Sequence, residues 1–303
     1  QRQVLTRARE VSRVRGMTTN FDRIRAYYSD FNEWGRLDTP AGQLEFEILR
    51  SILTEQIPAG SNVLDLGGGP GRYAFFLASL GHSVCLADLS EDLIEEARKR
   101  ASSLDPDIRQ NVVRIDVANA LDLSQYDDEM FSTILLFGPL YHLMKHEVIK
   151  CLEEVRKKLQ PGGTVFAVYM PYEVGVKSIL ERALSSPDQV DGANLERLIK
   201  SGHFRNHAIQ GFQEAYFPRT SQITDYFERT GYVVEDTRSI RGIGYGNDEG
   251  IMELQDSNPA RFAKILATIN DTARLESVVN TGGHALITAR IAGWLFLPEG
   301  WVE

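Results

Sequence analysis

Val63-Leu64-Asp65-Leu66-Gly67-Gly68-Gly69-Pro70-Gly71-Arg72-Tyr73 decides how this chain is read. Val63, Leu64 and Leu66 make a short buried strand, and the glycines Gly67, Gly68, Gly69 and Gly71 follow as a tight turn. Pro70 falls near the first turn of the next helix, where a missing N–H costs little. Tyr73, Phe76, Leu77 and Leu80 recur at i, i+3, i+4 and i+7 as one face of that helix, and Gly81 ends it. Strand, glycine turn and helix form a nucleotide-binding corner. Glycines let a ligand lie against bare backbone, and the helix start offers unpaired N–H groups.

The dinucleotide fingerprint G-x-G-x-x-G needs a close-packing Gly at its sixth place, which here is Arg72. The spacing is instead Gly67-x-Gly69-x-Gly71, preceded by Asp65. In this the sequence resembles the class I S-adenosylmethionine-dependent methyltransferases, whose first motif is a strand, an acidic residue and G-x-G-x-G. The resemblance implies that the turn passes under the methionine part of S-adenosyl-L-methionine. A generic βα turn and an NAD site with a degenerate glycine are the competing readings.

The chain of 303 residues is 43% hydrophobic and 25% charged, which suits one elaborated α/β domain. A net charge of −9 lacks the general footprint of a nucleic-acid binder. Cys85 and Cys151 read as reduced core residues, pointing to a cytoplasmic protein. No apolar run approaches the ~18 residues of a membrane span.

The second strand, over 83–87, ends in Asp88-Leu89, and Ser90 caps the next helix. An acid at that place can accept both hydroxyls of a ribose, whether of NAD or of S-adenosylmethionine. The third strand, over 111–115, ends in Asp116-Val117. The resemblance implies adenine there, held by the carboxylate and the next backbone N–H; an ordinary turn Asp is the alternative. The fourth strand, over 131–137, runs through Phe137 into Gly138-Pro139-Leu140-Tyr141-His142. Ligands of open α/β sheets sit beyond the carboxyl ends of the strands at the switch point, so this segment is expected to face the methyl group. Phe-Gly-Pro-Leu-Tyr lacks the Asn or Asp of the Asn/Asp-Pro-Pro-Tyr motif of nucleic-acid amino-methyltransferases, which argues against a nucleobase acceptor. His142 has the range of a general base, or serves as a structural hydrogen-bonding residue.

Residues 1–17 are an Arg-rich extension, read as an organelle transit peptide, an expression remnant or a frayed helix, with Met17 available as a start. Residues 18–57 read as two helices forming a lid, with Tyr28, Glu33, Trp34 and Arg36 over the cofactor; a packing segment on a sheet edge is the other reading. A helix with Val148, Ile149, Leu152, Val155 and Leu159 on one face, the Leu159-Gln160-Pro161-Gly162-Gly163 turn that stops it and a fifth strand over 164–169 extend the resemblance. Residues 171–218 exceed a βα connection and read as a helical substrate cap, with His203, Arg205, Asn206, His207 and Tyr216 as candidate pocket groups. A helix over 220–229, a strand over 232–236, a flexible loop from Arg241, a helix from Asn258 and a last strand over 284–289 complete the domain to 293. The tail 294–303 is too apolar to stay free.

The resemblance implies a Rossmann-like, seven-stranded, mostly parallel sheet with its last strand reversed and helices on both faces. The expected activity is methyl transfer from S-adenosylmethionine to an oxygen, nitrogen or carbon of a small molecule. Asp65, Gly67, Gly68, Gly69 and Gly71 would hold the methionine end, Asp88 and Leu89 the ribose, and Asp116 and Val117 the adenine, with Phe137 and Tyr28 nearby. Tyr141, His142 and His203 are the catalytic candidates; Trp34, Leu140, Arg205, Asn206 and Tyr216 are candidates for the acceptor. No metal, nucleic acid or membrane is expected, and the chain is expected to be a monomer or homodimer. An NAD-dependent oxidoreductase and a non-catalytic S-adenosylmethionine-binding scaffold are the rival readings.

Overall fold

The computed structural model describes residues 21, 25, 32–187, 190–206 and 214–291. The extension 1–17, Tyr28, His207 and the tail 294–303 lie outside them. The β1 strand (Asn62–Leu66) is buried on both faces, as a central parallel strand must be. It pairs in parallel with β2 (Ser83–Asp88) on one side and with β4 (Phe131–Leu136) on the other. The sheet order is β3-β2-β1-β4-β5-β9-β8. Here β3 is Val112–Val117, β5 Leu159–Tyr169, β8 Tyr232–Ser239 and β9 Ala285–Ile291. β9 runs antiparallel between β5 and β8, so the last strand is reversed and inserted as expected. The chain leaves β1 in one direction and β4 in the other, which opens a crevice at their carboxyl ends.

Helices cover both faces of the sheet. The first described ones are α1 (Glu33–Arg36), α2 (Pro40–Gln56) and α3 (Arg72–Ser79). The buried side of α3 is Tyr73, Ala74, Phe75, Leu77 and Ala78, and Leu80 is 42% exposed. The expected face is thus rotated, because the small Ala74 and Ala78 let α3 approach the sheet closely. Next come α4 (Glu91–Ser102), capped by Ser90, the short α5 (Pro106–Arg109) and α6 (Lys145–Lys158). One core layer contains Leu64, Leu136, Leu152 and Ile287; the other contains Val63, Leu77, Ile94 and Phe166. Cys85 and Cys151 are free and buried in these layers.

The insertion after β5 is more than helical. It holds α7 (Tyr172–Ser185), α8 (Gly192–Ser201) and a two-stranded hairpin, β6 (His203–Arg205) with β7 (Glu214–Tyr216). Ile179, Leu198, Phe204 and Phe217 give it a small core of its own. After α9 (Thr220–Arg229) and β8, the expected loop from Arg241 is a 3-10 turn (Gly242–Gly244) followed by α10 (Asp248–Ser257). α11 (Pro259–Thr272) and α12 (Glu276–Thr281) then lead into β9. Among the described residues no helix is long and apolar enough to cross a membrane, and no His/Cys/Asp/Glu group is arranged to hold a metal.

Candidate active site

The glycine turn is tied to the end of β2 before any ligand arrives. The Gly67 and Gly68 amides donate to the Ala87 carbonyl, at 2.7 and 3.2 Å, and the Gly69 amide donates to Asp88 Oδ2 at 2.9 Å. Gly68 has no room for a side chain: a Cβ there would lie 2.4 Å from Asp65 Oδ2 and from Leu86 Cδ1. Gly67 has φ +77°, and a Cβ on it would meet the Pro139 ring at 2.5 Å. The turn is therefore pressed between β2 and the segment after β4.

A cleft lies over these strand ends. Asp65, Gly67, Gly68, Gly69, Tyr73, Asp88, Leu89, Phe137, Pro139, Tyr141 and His142 all line it. Asp65 is fully buried, and neither carboxylate oxygen is in hydrogen-bond geometry with any group, although the Ala74 amide lies close enough to favour its charge. Burial pushes its carboxyl up to about 7, with the Asp88 charge adding to the rise. The Tyr73 hydroxyl at the same end of the cleft is also buried without a partner. Asp88 accepts from Gly69 N and Ser90 N, both at 2.9 Å, and burial raises it to about 6 despite these bonds.

After β4, Tyr141 and His142 sit on and after a 3-10 turn (Pro139–Tyr141). His142 is 8% exposed, and its Nδ1 lies 3.4 Å from the Glu214 carbonyl of the cap hairpin. Burial lowers its pKa to about 4, so the ring is neutral at pH 7. With Nδ1–H directed at that carbonyl, Nε2 carries the lone pair. Glu33 and Arg36, paired with each other on α1, also line the cleft, with Glu33 beside Gly69 of the glycine turn.

Not every expected residue reaches the cleft. β3 runs two residues further than its apolar pattern suggests, so Asp116 and Val117 are strand residues paired with Ala87 and Asp88. Asp116 accepts from Tyr126 OH at 3.1 Å and pairs with Arg114 at 2.9 Å, and Val117 is 38% exposed. Ala118, Asn119 and Ala120 line the cleft in their place. The signal for Asn119 was present as the first polar residue after Val117, but only the strand's length brings it there. Gly71, with φ +97°, serves as the N-cap of α3 and does not line the cleft. Leu140 is 2% exposed in the main core. Trp34 is held between guanidinium groups, Arg72 at 4.7 Å and Arg100 at 3.6 Å from its ring centre, outside the cleft. His203 stacks on Tyr216 at 4.6 Å, Tyr216 OH meets Tyr226 OH at 2.9 Å, Arg205 is exposed and Asn206 buried. None of these four cap residues lines the cleft; the cap reaches it through the Glu214 carbonyl on His142.

Comparison with known proteins adds to this geometry. Residues 63–163 match the model of the "Methyltransferase domain" family. Demethylmenaquinone methyltransferase of Clavibacter sepedonicus is 26% identical over 186 residues, 60% of this chain and 69% of that protein. The tRNA 5-carboxymethoxyuridine methyltransferase of Escherichia coli K12 is 31% identical over 154 residues, so the chain spans 56% of its length and the match half of this chain. Among solved structures, an S-adenosylmethionine-dependent methyltransferase of Methanosarcina mazei superposes with a TM-score of 0.55 at 17% identity, covering 80% of this chain and 97% of that one.

Proposed function

We propose that the chain is an S-adenosylmethionine-dependent methyltransferase and that it methylates an oxygen, nitrogen or carbon atom of a small acceptor bound against Tyr141 and His142. The observation that carries this reading is the pair of orphaned polar groups at the glycine turn. The buried Asp65 carboxylate and Tyr73 hydroxyl lack partners where an amino acid's ammonium and carboxylate would supply them. The residues present thus fit the cofactor. Asp65 and Tyr73 would hold its methionine end, the bare backbone of Gly67–Gly69 its middle, Asp88 the ribose diol, and Ala118–Ala120 the adenine.

When bound, the cofactor supplies a methyl group made electrophilic by its sulfonium. The protein has to align the acceptor in line with that methyl and to receive a proton where the acceptor carries one. His142 is the candidate for the proton-accepting role, because it is neutral at pH 7 and its Nδ1 faces the Glu214 carbonyl, so that Nε2 is the accepting nitrogen. Burial weakens it as a base, which suits an acceptor whose proton becomes strongly acidic as the methyl is transferred. Phe137 and Pro139 give this wall an apolar lining. The two relatives act, by their names, on demethylmenaquinone and on a tRNA uridine, so likeness in the cofactor domain carries no acceptor with it. The acidic chain and the Gly138-Pro139-Leu140-Tyr141 segment favour a small molecule over a nucleobase.

The test has two arms. Calorimetric titration with S-adenosylhomocysteine, with NAD as a parallel ligand, reads the cofactor; micromolar binding with NAD silent is expected. Formation of S-adenosylhomocysteine from S-adenosylmethionine is then followed with catechol, benzylamine and acetylacetone as phenol, amine and acidic-carbon probes. NAD binding, or binding of neither ligand, overturns the assignment. Cofactor binding without turnover of any probe would move the chain to the scaffold reading.

A further inference from the structure

One buried carboxylate ties three distant segments together behind Tyr141. Glu45, on α2, is 6% exposed. Its Oε2 pairs with His284 Nδ1 at 2.9 Å, across 239 residues of chain. Its other neighbours are Arg36 at 3.8 Å and Arg241 at 3.9 Å, and Arg241 is itself held by Asp248 at 3.0 Å. Burial pushes the Glu45 carboxyl up, but His284, Arg36 and Arg241 outweigh it and hold it at about 2. An ionised carboxylate only accepts, so His284 Nδ1 carries a proton and the tautomer and tilt of the ring are set. That ring lies parallel to Tyr141, with centres 5.9 Å apart and planes 6° from parallel. Tyr141 also packs on His142, at 4.8 Å and 56°, and its phenol is within electrostatic reach of the Arg36 guanidinium.

A buried ion cluster of this kind contributes little net stability, because desolvating the charges costs about as much as their attraction returns. What it does fix is orientation. The same carboxylate holds the ring that lies against Tyr141 and the guanidinium within electrostatic reach of its phenol. We propose that Glu45 and His284 are positioning residues for Tyr141, holding its hydroxyl at the acceptor wall so that it hydrogen-bonds the acceptor's reacting group from a fixed place. This rests on the reading of Tyr141 as an acceptor-side residue. Neither Glu45 nor His284 lines the cleft; both act through Tyr141 and Arg36.

The experiment follows Tyr141 directly. Tyrosine labelled with ¹³C at Cζ is incorporated, and the Tyr141 resonance is assigned by its loss in Tyr141→Phe. It is then titrated with pH in wild type, Glu45→Gln and His284→Phe. Glu45→Gln keeps the shape and removes the charge; His284→Phe keeps a ring and removes the Nδ1–H donor. Thermal unfolding identifies the variants that fold. The groups that bear on the titration are Glu33, Arg36, His142, Arg241 and Asp248 as well as the pair itself. The Tyr141 resonance is expected to move, and its titration to shift, in each folded variant. S-adenosylhomocysteine affinity of His284→Phe should stay within about threefold. On a probe that wild type methylates, kcat should fall roughly tenfold or more at similar KM. An unchanged Tyr141 resonance and titration in either folded variant overturns the proposal, whatever the activity. Failure of wild type to methylate any probe counts against the transferase reading, and the resonance then decides the positioning by itself.

Discussion

Asp88 accepts the Gly69 amide at 2.9 Å, so the acid at the end of β2 and the glycine turn after β1 form one rigid anion-and-amide corner. The same carboxylate also accepts from Ser90 N at 2.9 Å, which leaves only its outward lone pairs for a diol. Asp88→Ala therefore removes a ligand contact and loosens the turn. S-adenosylhomocysteine affinity is expected to fall roughly 30-fold or more, about 2 kcal/mol, by calorimetry. Asp88→Asn should do little better, because its NH₂ must face one of the two amide donors. An affinity equal to wild type in both variants would remove Asp88 from the site.

Asp65 gives a pH signature. Its carboxyl sits near pH 7 in the folded protein, above the ordinary 3.8, through burial. A raised carboxyl pKa means that stability is full below about pH 4 and is lost as pH rises through 7. Asp65→Asn should accordingly make the cofactor-free protein more stable at pH 8, by roughly 2–4 kcal/mol in denaturant unfolding, while abolishing cofactor binding. At pH 6 an ammonium brought to Asp65 draws the proton off. Binding enthalpies measured in two buffers of different ionisation heat should show proton release in wild type and much less in Asp65→Asn. Equal proton release in both would exclude Asp65 as the ammonium's partner.

His142 has the opposite sign. Burial lowers it to about 4, so its stability contribution is present above about 6.5 and is lost as pH falls toward 4. Between pH 7 and 5 wild type should lose about 2 kcal/mol on this account, and His142→Gln should lose correspondingly less. The kcat of wild type at saturating cofactor should show no step near 6.5. A step there would mean that the His142 ring titrates as an exposed imidazole.

Trp34 is clamped between Arg72 and Arg100, and Arg72 is further held by Asp38 at 3.0 Å. The stack fastens α1 to α3 and α4, next to the glycine turn. Trp34→Ala should cost about 1–2 kcal/mol of stability and weaken cofactor affinity severalfold, with kcat at saturation nearly unchanged. A collapse of kcat with unaltered affinity would instead place Trp34 in contact with the acceptor.

At Gly68 a methyl group has no space, with Asp65 and Leu86 each 2.4 Å from its position. Gly68→Ala is expected to lower stability by about 1–3 kcal/mol and to displace the Asp65 carboxylate, so that cofactor binding falls with it. Gly246 provides the control: a Cβ there meets nothing within 4 Å, although its φ of +86° adds backbone strain. Gly246→Ala should leave cofactor affinity unchanged.

The reversed last strand was implied by the family resemblance alone, whereas the strand, glycine turn and helix over residues 63–79 and the acid at Asp88 were legible in the chain itself. Each depends on local pattern: apolar periodicity, glycines where φ is positive, and a carboxylate at a strand's end. Which side chains meet was decided by tertiary structure. β3 is longer than its apolar core, because pairing with Ala87 and Asp88 extends it, and in a strand every added residue changes the face presented. That extension directs Asp116 to Tyr126 and brings Asn119 to the cleft. Trp34 has the sequence character of a pocket aromatic, but two arginines from separate helices enclose it. The Glu45–His284 pair had no sequence signal at all, since its 239-residue separation has no period and only the insertion of β9 beside β5 brings the imidazole to the carboxylate.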